Sequence, residues 1–198
     1  LPSEWTKKLN LASGDEIDVE ENNGSLIVNG KQHNSFKSTT IDITGLNIPM
    51  IWRYFQGAYR EGYDEIKIIY DSSKKEMEGA LNFYTTHFAY SKFGEKPVKK
   101  PAIESINEII NRFIGVAIID HGENYCTIRE MGDVTAKEFD NSLRRIFLLL
   151  QEIFDEIIEM IQTNKVGDIS ICKKIHTMDM GVDKFVDYCC RINNKIRK

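Results

Sequence analysis

Leu1-Pro2-Ser3-Glu4-Trp5-Thr6-Lys7-Lys8-Leu9-Asn10-Leu11-Ala12-Ser13-Gly14-Asp15-Glu16-Ile17-Asp18-Val19-Glu20 opens the chain and decides how its first part folds. Pro2 suits the start of a short helix, where its missing N–H removes no bond. Trp5 and Leu9 share one face at helical spacing, with Leu11 close behind. Ser13-Gly14-Asp15 breaks the helix, and Gly14 tolerates a left-handed stop. Ile17 and Val19 alternate with Asp18 and Glu20, the signature of a half-buried strand. Asn22-Asn23-Gly24 signals a turn, and Leu26-Ile27-Val28 supplies a second strand.

Beyond this hairpin, Gln32 to Thr39 is polar and reads as a linker. Thr40 to Ile43 alternates as a strand. Asn47 caps a helix that Pro49 enters in its first turn, and Ile51, Tyr54, Phe55, Ala58 and Tyr59 share one face. Gly62 ends it, and Tyr63 to Tyr70 forms the next strand. Strand, helix and strand at this spacing predict a βαβ unit with parallel pairing. Lys74 to Thr86 is expected to be helical. Phe88 to Pro101 ends in an exposed lysine-rich loop. Ile103 to Phe113 is amphipathic, with Ile106, Ile109, Ile110 and Phe113 on one face. Val116 to Ile119 and Tyr125 to Ile128 flank His121-Gly122-Glu123-Asn124 as a hairpin.

Past Gly132 the period changes. Thr135 to Ile161 is one long helical pattern with Phe139, Leu143, Ile146, Phe147, Leu150, Phe154, Ile157, Ile158 and Ile161 recurring at steps of three and four. Such a stripe buries against neighbouring helices in a bundle. Gln162 to Gly167 breaks it. A second helical run follows from Val166 to Lys198, with an interruption expected near Gly181. Two helices do not readily close a bundle, so more chain or a dimer partner is expected to cover them.

The chain has 198 residues, enough for one to three small domains. The longest apolar run, Ile146 to Leu150, is far too short for a bilayer span, and no signal peptide is visible. Cys126, Cys172, Cys189 and Cys190 lack metal-type spacing and read as free intracellular thiols, which places the protein in the cytoplasm. The net charge is −4, and residues 1–34 hold three lysines against six acids. This balance opposes strong phosphate-driven affinity unless a local basic surface exists.

The opening pattern, Leu-Pro-x-Glu-Trp-x-Lys-Lys-Leu-x-Leu-x-x-Gly-Asp-x-Ile-x-Val, resembles the swapped-hairpin DNA-binding domain of the SpoVT/AbrB/MazE families. That resemblance implies a dimeric barrel to which each subunit lends hairpins. It implies DNA as partner and makes Lys7 and Lys8 the basic positions within the motif. They either reach phosphate oxygens or form a solvated helix face. Family members carry a strand and a basic loop before this point. The chain opens inside the motif, so that piece is expected to be absent here.

Thr40 to Ile161 is similar to the archaeal PhoU-like regulators that carry an AbrB-type domain at their N-terminus. The residues concerned are Ile41-Asp42-Ile43-Thr44-Gly45-Leu46, Ala58-Tyr59-x-x-Gly62-Tyr63-Asp64-Glu65-Ile66-x-Ile68-Ile69, Phe113-Ile114-Gly115-Val116 and Leu143-Arg144-Arg145-Ile146-Phe147-Leu148-Leu149. The implied architecture is α+β. It comprises an AbrB-type hairpin module at 1–34, a small α/β region at 40–132 and a PhoU-like, incomplete helical bundle portion at 133–198. PhoU repeats carry Glu/Asp-x-x-x-Asp on a helix, which in some members binds metal clusters. Asp179-Met180-Gly181-Val182-Asp183 matches it, and i, i+4 spacing sets both carboxylates on one face, with Asp187 extending the row. Asp179 and Asp183 are thus candidate ligands for a divalent metal or iron, the other reading being a solvated acidic face.

No Gly-rich phosphate loop, HExxH or nucleophile elbow appears, so the chain reads as a non-enzyme. The resemblances imply a homodimeric, DNA-binding regulator linked to phosphate uptake or homeostasis. The alternative is an adaptor that contacts a phosphate transporter or sensor kinase without binding DNA, and the acidic balance favours it.

Overall fold

The computed structural model describes residues 1–15, 17–22, 24–30, 36–71, 76–79, 98–132 and 134–196. The chain divides into two compact units, Leu1–Ser35 and Phe36–Lys198.

In the first unit, α1 (Ser3–Lys8) follows Pro2, whose φ of −61° leads into the first turn. Asn10 and Gly14 both take left-handed backbone, with φ of 53° and 104°, and so end the helix and turn the chain. The Asp15 carboxylate accepts from the Ala12 N–H at 2.7 Å and fixes that turn. Strands β1 (Ile17–Asn22) and β2 (Ser25–Gly30) then pair antiparallel, Ile17 opposite Gly30 and Asn22 opposite Ser25.

The second unit begins with the expected βαβ. β3 (Ser38–Asp42) and β4 (Glu65–Ile69) run parallel, joined through α2 (Ile48–Arg60). Asn47 caps α2 by accepting from the Met50 N–H at 3.0 Å. The buried face of α2 is rotated from the expected one: Ile48, Trp52 and Gln56 join Ile51, Phe55 and Tyr59, while Tyr54 points outward. β7 (Val116–His121) and β8 (Tyr125–Glu130) form the predicted hairpin, with an irregularity between Ile118 and Asp120. β8 pairs antiparallel with β4, giving one four-stranded sheet in the order β3-β4-β8-β7. One face of it, with Ile66, Ile68, Cys126 and Ile128, buries against α2 and α3 (Ala102–Ile110). Trp52, Phe55 and Tyr59 surround Phe113 with ring centroids 4.7–4.9 Å apart, within the range of favourable aromatic pairs. The opposite face carries exposed Thr40, Asp42, Lys67 and Arg129, as a one-sided sheet should.

The stretch expected to be helical at 74–86 and the loop expected through Pro101 turn out differently where they are described. β5 (Glu76–Gly79) and β6 (Val98–Pro101) are paired antiparallel strands. Local periodicity could not reveal this, because the partners are some twenty residues apart. Pro101 stands at the end of β6, where a missing N–H is tolerated. The rest of both stretches lies outside the described residues.

α4 (Ala136–Gln162) starts at Thr135 in a capping box with Glu138. It packs along α5 (Ile169–Ile196). α5 is unbroken at Gly181, contrary to expectation. A Cβ there would lie 3.4 Å from Leu149 Cδ1, so the glycine sits where the two helices approach closely. The buried side of α4 consists of Ser142, Ile146, Leu149 and Ile153. Of the stripe expected to be covered, only Ile146 is buried, and Phe147 and Phe154 are 64% and 61% exposed. Among the described residues, no helix is long and apolar enough to cross a membrane.

Candidate functional site

The first candidate is α1 with its hairpin. Lys7 and Lys8 fall in the last turn of α1, and both side chains are exposed. Basic groups there complement the negative end of the helix. Val19 and Leu26 are 51% and 69% exposed, and Trp5, Leu9, Leu11, Ile17 and Val28 are half-buried. A unit of this size cannot build a sufficient core alone.

The second candidate is the acidic row on α5. Asp187 is wholly buried. Its carboxylate accepts from Gln56 Nε2 at 3.1 Å and from Arg60 Nε at 2.6 Å. Asp183 lies one turn away. Partial burial pushes its carboxyl above the usual range, the like charges of Asp179 and Asp187 add to this, and Arg60 and Arg53 oppose it. The row is thus continuous but faces two guanidinium groups. Among the described residues, no group of three or more His, Cys, Asp or Glu side chains could hold a metal ion. A cation at Asp179 and Asp183 would compete with Arg53 and Arg60, so the residues present fit a metal poorly.

The third constellation was not singled out from the sequence. Arg191 on α5 is fully buried. Its guanidinium donates to the Tyr59 carbonyl at 2.7 Å, to the Tyr63 carbonyl at 2.9 Å and to the Glu130 carboxylate at 2.9 and 3.0 Å. It also lies 4.9 Å from the Tyr59 ring centroid. Lys195, one turn on, donates to Glu130 and, at 2.6 Å, to Asp64. Burial raises the Asp64 carboxyl, but the Lys195 ammonium and the Lys37 N–H that donate to it outweigh burial and hold it below the usual range. Asn194 Nδ2 donates to the Arg60 carbonyl at 2.8 Å. Arg191 and Asn194 of α5 therefore bond to carbonyls at and just past the end of α2, while Arg191 and Lys195 cross to Glu130 of β8. Gly62, with φ of 82°, makes room: a Cβ there would stand 2.7 Å from Lys195 Cγ. The spacing Asp187-x-x-x-Arg191-x-x-x-Lys195 was the available signal. Its chemistry is that of a clamp between α5 and the sheet.

Comparison with known proteins adds no relative: no family description, no curated protein and no solved structure matches this chain.

Proposed function

We propose that the chain is a homodimeric, DNA-binding transcriptional regulator of the PhoU-like type, acting in the cytoplasm and linked to phosphate uptake or homeostasis. The observation that supports this reading is the first unit. A helix ending in two exposed lysines is followed by a left-handed stop and a hairpin, and Val19 and Leu26 of that hairpin lie exposed in one copy. Two such hairpins interleaved would bury Val19 and Leu26 and give the pair a shared core. Lys7 and Lys8 of both copies would then meet phosphates of a duplex. The role in phosphate control rests on the resemblance of the second unit alone.

Fluorescence anisotropy of the full-length protein against genomic DNA fragments, at several salt concentrations, tests the reading. Saturable binding whose affinity falls steeply with salt is expected. The double substitution Lys7→Glu/Lys8→Glu should weaken it at least tenfold with an unchanged circular dichroism spectrum. Absence of binding at low salt would transfer the function to protein partners.

A further inference from the structure

A single chain leaves the outer side of α4 uncovered. Leu143, Phe147, Leu150, Phe154, Ile157 and Ile161 follow one another at steps of four, three, four, three and four. That is a heptad seam of about 27 Å at 1.5 Å per residue. It is separate from the Ile146, Leu149 and Ile153 line that meets α5. Leu143, Phe147, Phe154 and Ile161 are all exposed large apolar side chains, and Val166 and Ile169 prolong the patch over the connection to α5. A run of this kind exceeds the scattered apolar exposure normal for a surface.

Charge identifies the occupant. Over the seam from Asn141 to Ile161, the first half carries only Arg144 and Arg145 and the second half only Glu152, Asp155, Glu156 and Glu159, while the turn that precedes the seam carries Lys137, Glu138 and Asp140. Within the chain, Arg145 reaches Glu152 at 3.5 Å and Lys174 engages Glu156. The exposed Arg144, Asp155 and Glu159 keep the seam polarised from Asn141 to Ile161. A parallel copy would set arginines against arginines and acids against acids. An antiparallel copy related by a two-fold axis near the middle of the helix sets each arginine end against an acidic end.

We propose that this face of α4 docks the α4 of a second copy of the chain, antiparallel, so that two helical hairpins close one four-helix bundle. The contact is independent of the hairpin module of the first unit, and it supplies a second self-association surface.

Photo-crosslinking tests it in the full-length protein. p-Benzoylphenylalanine replaces Phe154 in a mixture of unlabelled and 15N-labelled chains. Phe154 is largely exposed, so the replacement leaves the fold intact, and thermal melting verifies this. Crosslinks that join the two isotopes and map to Leu143–Leu150 are expected. Arg144→Glu/Arg145→Glu should cut their yield at least tenfold, and mixing with an Asp155→Arg/Glu159→Arg copy should restore it. Crosslinks confined to one isotope would mean that the chain covers its own seam and would overturn the proposal. So would crosslinks to a different protein, or none. DNA binding retained without these crosslinks refutes only this contact. Crosslinks retained without DNA binding refute only the regulator reading.

Discussion

Replacing Arg191 with methionine removes the centre of the clamp between α5 and the sheet. Methionine keeps much of the volume but none of the donors. The Tyr59 carbonyl keeps the Gly62 N–H but loses its guanidinium donor, the Tyr63 carbonyl loses its Arg191 donor, and the Glu130 carboxylate keeps Lys195. Breaking a buried ion pair by removing one member costs about 3–5 kcal/mol, because the remaining groups stay desolvated. Arg191 is 0% exposed and the Glu130 side chain 12%, so little solvent screening reduces that figure. For a unit of this size, each kcal/mol moves the melting temperature by about 2–4 °C, so a fall of roughly 6–20 °C is expected. Urea titration followed by circular dichroism gives the free energy directly. Arg191→Lys should fall between wild type and Arg191→Met, since an ammonium cannot span two carbonyls and a carboxylate as the fork does. A loss below about 1 kcal/mol for Arg191→Met would refute the claim that this network holds α5 to the sheet.

Two further outcomes follow from the helices. Gly181→Ala should raise stability by up to about 1 kcal/mol, because its Cβ would only reach contact with Leu149 while helix propensity improves; a lowered urea midpoint would show the helices to be too close for a methyl group. Asp183 has a folded-state carboxyl that titrates above its unfolded value, so its ionisation opposes folding at neutral pH, and that opposition fades as pH falls through the folded value. Asp183→Asn should therefore raise the urea midpoint at pH 7 and make little difference at pH 3, whereas equal gains at both pH values would exclude the electrostatic cause.

The parts legible in the sequence were those fixed by short-range rules. Asn47 and Pro49 set the start of α2 and alternation through Ile66 and Ile68 set β4, whereas the helix stop expected at Ser13-Gly14-Asp15 falls earlier, at Asn10. The β5–β6 pair was hidden because its two strands are defined by each other and not by their own periods. Gly181 misled in the opposite sense: a residue poor in helix propensity reads as a break, while the packing of α5 along α4 carries the helix through it. The long stripe of α4 was recognised, but periodicity cannot say which of two adjacent apolar lines faces α5. For the site, Lys7, Lys8, Asp179 and Asp183 were named from motif and spacing. Arg191 was not singled out, since its carbonyl and carboxylate partners lie more than sixty residues earlier in the chain.

The β5–β6 pairing has a consequence for how the chain can vary. Gly79 lies directly opposite Val98, so residues 80–97 leave and re-enter at points about 5 Å apart. The ends are thus held together by their own ladder, independently of how much chain lies between. Substitutions that weaken this two-stranded ladder would therefore leave β4 and β8 paired, since those strands belong to a separate sheet.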